Sequence, residues 1–125
     1  MRYENITATL TSDASGDATV TTQVVSGKIV KISTIGVVAP NANWDFDIQS
    51  KNLGVWATEF TDDTRSNSTT VADVDYPAVA EVKNTDGSSS STYKSGIYIN
   101  GPLKFIGANM GASKSAKVSI LVEVA

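Results

Sequence analysis

The chain ends in SAKVSILVEVA, where Ala116, Val118, Ile120, Val122 and Val124 occupy every second position. Ser115, Lys117, Ser119 and Glu123 fall between them. A period of two sustained over ten residues predicts a strand with one buried face, because successive side chains point to opposite sides of a sheet. A helix cannot use this pattern, since its apolar stripe returns every three to four residues. NITATL near the start alternates in the same way, with Ile6, Ala8 and Leu10 on one side and Thr7 and Thr9 on the other.

The segments between these ends read alike. ATVTTQVV (18–25) is strand-like, Gly27 is expected to break it, and KIVKISTIGVV (28–38) follows as a more deeply buried strand. Ala39-Pro40-Asn41 ends that strand, because proline has no amide hydrogen for a ladder. NWDFDIQ (43–49) alternates aromatic with acidic residues, and SKN (50–52) is expected to turn the chain into LGVWATEF (53–60). TDDTRSNSTT (61–70) reads as a polar loop and VADVDYPAVAEV (71–82) as renewed apolar structure. Asp86-Gly87 marks an exposed turn. Strands over 93–99 and 102–107 flank Asn100-Gly101-Pro102. The expectation is all-β: a single-domain β-sandwich over residues 1–125, jelly-roll-like, with about 8–10 short antiparallel strands. Residues 1–5 are expected to form an extended arm.

Composition restricts the chemistry. The 125 residues contain no cysteine and no histidine, which removes disulfides, thiol catalysis, the Ser-His-Asp triad and histidine-ligated zinc. A net charge of −3 gives nucleic acid no basic face. No apolar run approaches a membrane span, and no secretory h-region follows Met1, so synthesis in a cytoplasm is expected. The sequons at Asn5 and Asn67 arise by composition in a chain this rich in serine and threonine. No cofactor motif is present, and the chain is expected not to be an enzyme.

Asp45 and Asp47 share one face of a strand and are the candidate metal ligands, with Asp62, Asp63, Asp73 and Asp75 as further oxygens. No D-x-D-x-D-G order accompanies them, so the solvated side of a strand is the competing reading. Trp56 and Tyr93 are the candidate glycan-stacking residues, because aromatic faces pack on pyranose rings. Trp44 belongs to the parity opposite the aspartates and is expected in the core. Trp56, Thr58 and Phe60 share a parity that leaves their side open. Charge is uneven along the chain: residues 44–86 carry nine acids and three bases, whereas residues 87–125 carry one acid and four bases. Either each copy has an acidic and a basic surface suited to association, or the fold interleaves the two signs.

YPAVAEVKNTDG, then Tyr93, GPLKFIGANMG and AKVSILVEV form an order that resembles the auxiliary head proteins of tailed bacteriophages, which decorate or cement the capsid. The matching residues are Tyr76-Pro77, Asp86-Gly87, Gly101 with Leu103-Lys104, and Val118 to Glu123. The resemblance covers residues 76–125, and Ala78 stands where a basic residue often follows the Tyr-Pro. It implies a β-sandwich on the outer capsid surface of a virion, commonly a trimer, whose partner is the major capsid protein lattice and which carries no catalytic residues. A carbohydrate-binding or host-recognition module of a fibre or tail is the alternative, and an enzyme accessory domain with a calcium site is the third reading.

Overall fold

A computed structural model describes residues 2–75, 79–82, 86, 88 and 92–124. Among them are nine strands and no helix: β1 (Arg2–Thr11), β2 (Ala18–Val38), β3 (Trp44–Asn52), β4 (Val55–Arg65), β5 (Asp73–Asp75), β6 (Val79–Val82), β7 (Thr92–Ser95), β8 (Ile97–Ala108) and β9 (Ser115–Val124). Seven form one antiparallel sheet in the order β1-β9-β2-β8-β3-β4, with β5 also on β2, while β6 and β7 form a separate hairpin. Tyr76-Pro77 and Gly87 lie outside the described residues. Asp86 is exposed, and its carboxylate accepts from the Ser88 amide at 2.9 Å and hydroxyl at 2.6 Å. Those bonds, the hydroxyl first, hold its pKa below the usual aspartate value.

β2 makes this sheet a sandwich. Its residues Ala18–Ile29 pair with β8, while Lys28–Val38 pair with β9 and Ile32–Thr34 also pair with β5. One half of the sheet is therefore β1-β9-β2-β5 and the other is β2-β8-β3-β4. The halves close on each other over a common core. Leu10, Ile32, Val118, Ile120 and Val122 come from the first half, and Trp44, Phe46, Ile48, Leu103 and Phe105 from the second. Leu10 of β1 reaches Gly107 of β8 across that core: a Cβ on Gly107 would lie 3.4 Å from Leu10 Cδ1. Phe46 sits centrally, with ring centroids of Trp44 at 6.0 Å and of Phe105 at 6.2 Å. The architecture is the all-β sandwich that the alternation predicts, although β2 is 21 residues long rather than short.

Several boundaries differ from the sequence reading, each for a local reason. Gly27 does not break a strand; it is the residue through which β2 passes from one half to the other, at φ 151°. A Cβ there would stand 2.4 Å from the Glu123 carbonyl oxygen and 2.9 Å from Val122 Cγ1. Gly101, at φ 149°, carries β8 through the matching bend, so β8 also continues where two strands were expected. The β3–β4 turn is Leu53-Gly54, not residues 50–52, because Asn52 and Val55 already pair. Leu53 is 97 % exposed and holds φ 53°, a left-handed conformation that hairpin tips usually give to asparagine or glycine. Residues 61–65 are strand, not loop. Residues 2–5 are in the ladder rather than in a free arm, with Arg2 opposite Val124 and Asn5 opposite Leu121.

Two stability outcomes follow. Gly27→Ala places a methyl against a main-chain carbonyl in a backbone region hostile to side chains, and urea denaturation should show a loss of about 3 kcal/mol or more. Thr34 is buried in β2, and its hydroxyl has no hydrogen-bond partner among the described residues. Thr34→Val keeps the shape and removes the unpaired hydroxyl, so the same assay should show a gain of about 1 kcal/mol.

Candidate functional site

NWDFDIQ distributes its residues as the alternation requires: Trp44, Phe46 and Ile48 are fully buried, and Asp45, Asp47 and Gln49 point to the outer face, half-buried. The Trp44 indole donates to the Ser66 carbonyl at 3.0 Å. Asp45 accepts from the Asn109 amide, and Asp47 accepts from the Thr61 hydroxyl at 2.6 Å.

Of the other carboxylates proposed as metal oxygens, Asp62 and Asp75 face inward to Arg65, whereas Asp63 is exposed. Arg65 is 1 % exposed. Its Nη2 donates to Asp75, and its Nε lies 3.1 Å from Asp62 Oδ2 in a charge contact not aligned as a hydrogen bond. The guanidinium lies 5.1 Å from the Phe60 ring centroid and 5.7 Å from that of Phe46. Asp73 accepts from the Ser66 amide. Among the described residues no three carboxylates converge as a metal site. Arg65 joins β4 to β5 and, through β5, to β2. Removing it strands two carboxylates and empties an aromatic niche, so Arg65→Ala should cost about 2–4 kcal/mol in thermal or urea unfolding.

Two irregularities decide which β4 residues face outward. Ile48 pairs with Phe60 and Gln49 with Thr58, so Glu59 is an extra residue on β4. A bulge of this kind flips the side-chain parity that follows it. Trp56 and Thr58 therefore point to the outer face and Phe60 into the core, although period two alone puts all three together. A second shift, between Trp44 opposite Arg65 and Phe46 opposite Asp62, brings both Arg65 and Asp62 inside.

The outer face of β8-β3-β4 thus carries three rows of paired side chains. Ile106, Asp47 and Thr61 form one, and Lys104, Gln49 and Thr58 the next. Lys51 stands opposite Trp56 in the third. Trp56 is half-buried. The Lys104 ammonium lies 4.2 Å from its ring centroid and that of Lys51 5.8 Å. Neither lysine has a carboxylate partner among the described residues. Beyond Lys51 a groove of about 600 Å³ is lined by Asn100, Tyr98, Lys28, Glu59 and Glu123. There Lys28 is 3.7 Å from Glu123, and Glu59 accepts from Ser50 at 2.6 Å. The size suits a small ligand.

Of the glycan candidates, Trp56 is on this face. Tyr93 belongs to β7, opposite Glu81, and its side chain lies outside the described part of the structure. Sequence reasoning proposes neither Lys51 nor Arg65 for a site, and Lys104 enters it only as part of the resemblance, not as a site residue. The signal for Lys51 is its place opposite Trp56 in a two-residue hairpin, which needs the turn to be put at Leu53-Gly54. The acidic and basic stretches of the chain are interleaved, because β8 inserts between β2 and β3. Compared with protein-family models the chain matches none, and no curated protein matches it.

Proposed function

We propose that the chain is a structural subunit of a tailed-phage head, a decoration or cement protein that acts through repeated surface contacts and not through chemistry. It is made in the host cytoplasm and ends on the outer capsid surface, self-associated as a trimer and bound to the major capsid protein lattice. The observation that carries the reading is the outer edge of β1. Among the described residues β1 pairs with β9 on one side only, and residues 5–11 of it, NITATLT, contain no charge, proline or glycine. An open, uncharged edge of this length is a template for another chain unless something covers it. β4, the opposite edge of the sheet, carries a bulge at Glu59 and the exposed charge of Asp63, both of which deter pairing with another strand. The resemblance of residues 76–125 to decoration proteins supplies the lattice as partner, and repetition across a lattice turns weak contacts into avidity.

Three copies close a ring when the β1 edge of each meets a different element of the next, whereas β1 against β1 closes a dimer. Sedimentation equilibrium at about 0.05 M and 0.5 M salt should give a trimer. Asn5→Lys with Thr7→Lys, both at exposed positions, should weaken association at least tenfold without lowering the melting temperature. Co-sedimentation with emptied heads of tailed phages should be saturable for the wild type and reduced for this variant. A wild type that is monomeric at every concentration and stays in the supernatant overturns the reading, and a dimer overturns the threefold arrangement.

A further inference from the structure

From the outer face of β8-β3-β4 we infer a binding site for an acidic saccharide, a pyranose chain bearing isolated carboxylates. The inference does not depend on assembly through β1, which lies at the opposite end of the strand order.

Three features act together. Trp56 is half-buried on a face that is polar apart from Ile106, where the bulge at Glu59 puts it outside the core. The apolar face of a pyranose ring packs on such an indole. Lys104 and Lys51 hold their ammonium groups over that ring, 4.2 and 5.8 Å from its centroid, and neither has a carboxylate partner among the described residues, so an incoming sugar takes the place of the ammonium on the ring and offers it an anion. Their contacts to the ring are weak compared with a charge-assisted bond to an anion. Finally, Gln49 and Thr58 occupy the next row, and Asp47 the row after, with one carboxylate oxygen engaged by Thr61. An amide, a hydroxyl and a carboxylate in sequence provide the donors and acceptors that sugar hydroxyls require.

The same layout argues against a densely charged polyanion. Asp45 and Asp47 lie two rows and one row from Lys104 on the same face, so a ligand with a negative charge on every unit meets repulsion there. A saccharide orients instead, with its carboxylate toward Lys51 and Lys104 and its hydroxyls toward Asp47. The adjoining groove, reached at Lys51, gives room for a further unit.

The chain has two tryptophans, and Trp44 is fully buried, so the two indole N–H signals in a ¹⁵N–¹H spectrum separate the site from the core. The probes are a tetrasaccharide of galacturonate carrying a methyl ester on alternate units, its fully esterified neutral form, and polyglutamate. The half-esterified probe should shift the Trp56 signal saturably with a Kd below about 1 mM, and the neutral form should bind at least tenfold more weakly. Lys51→Met with Lys104→Met should abolish the difference between the two, Trp56→Ala, followed through the backbone amide signals of Lys51 and Lys104, should abolish binding of both, and the Trp44 signal should stay in place throughout as a check on folding. Absence of any Trp56 shift at about 10 mM probe overturns the inference, as does equal binding of the two esters. Polyglutamate binding as tightly as the half-esterified sugar also overturns it, because simple charge attraction would then suffice.

Discussion

The passage of β2 from one half of the sheet to the other is the constraint on which everything else depends. A single strand serves two halves here because β8 pairs along one edge of its first part and β9 along the other edge of its second, and the two ladders overlap over Lys28 and Ile29, which pair with both. At that crossing the backbones come closer than side chains permit, so Gly27 lies against the Glu123 carbonyl. Gly101 answers it on β8, where a Cβ would be 3.0 Å from the Lys51 carbonyl. The two glycines bend neighbouring strands together, and the bend brings β1 over β8 to enclose the core. Without it the apolar faces of the two halves would lie side by side and remain wet.

Period two carries the fold as far as strand identity and the inner face. Trp44, Phe46, Ile48, Val118, Ile120 and Val122 are all where alternation puts them. It fails wherever the outcome depends on a partner strand. A glycine between two apolar runs reads the same whether the chain stops or bends, and only the proximity of Glu123 makes Gly27 a bend. Polar residues 61–65 look like a loop because their burial comes from elsewhere: Arg65 is drawn inside by Asp62, Asp75 and two phenylalanine rings. Such a residue is expensive to bury alone and tolerable as a set, and no member of the set reveals it in isolation.

The candidate site was legible to the same limited depth. Trp56 stood out as an aromatic residue, but its side of the strand could not be read, because a bulge changes parity without changing composition. Once Glu59 is known to be the extra residue, Trp56 is outside, and Lys51 and Lys104 are beside it by register. The aspartates of NWDFDIQ, the most conspicuous acidic pair in the chain, prove to be single acceptors for Asn109 and Thr61 on that face.

The two edges of the sheet are treated differently, and the difference bears on what each region is for. β4 has a bulge at Glu59 and the exposed Asp63, and its outer face holds Trp56 and Thr58. β1 carries threonines and an asparagine with nothing to deter pairing between residues 5 and 11. An unprotected edge costs little in a protein that meets its partner soon after synthesis, but it risks aggregation in one that stays alone. Covering β1 leaves the β8-β3-β4 face uncovered, because its strands are at the far end of the sheet order. A molecule so divided can be held by one side and still present the other. That division follows from where β2 bends, since the bend sets which strands share the core and which surfaces are left to face outward.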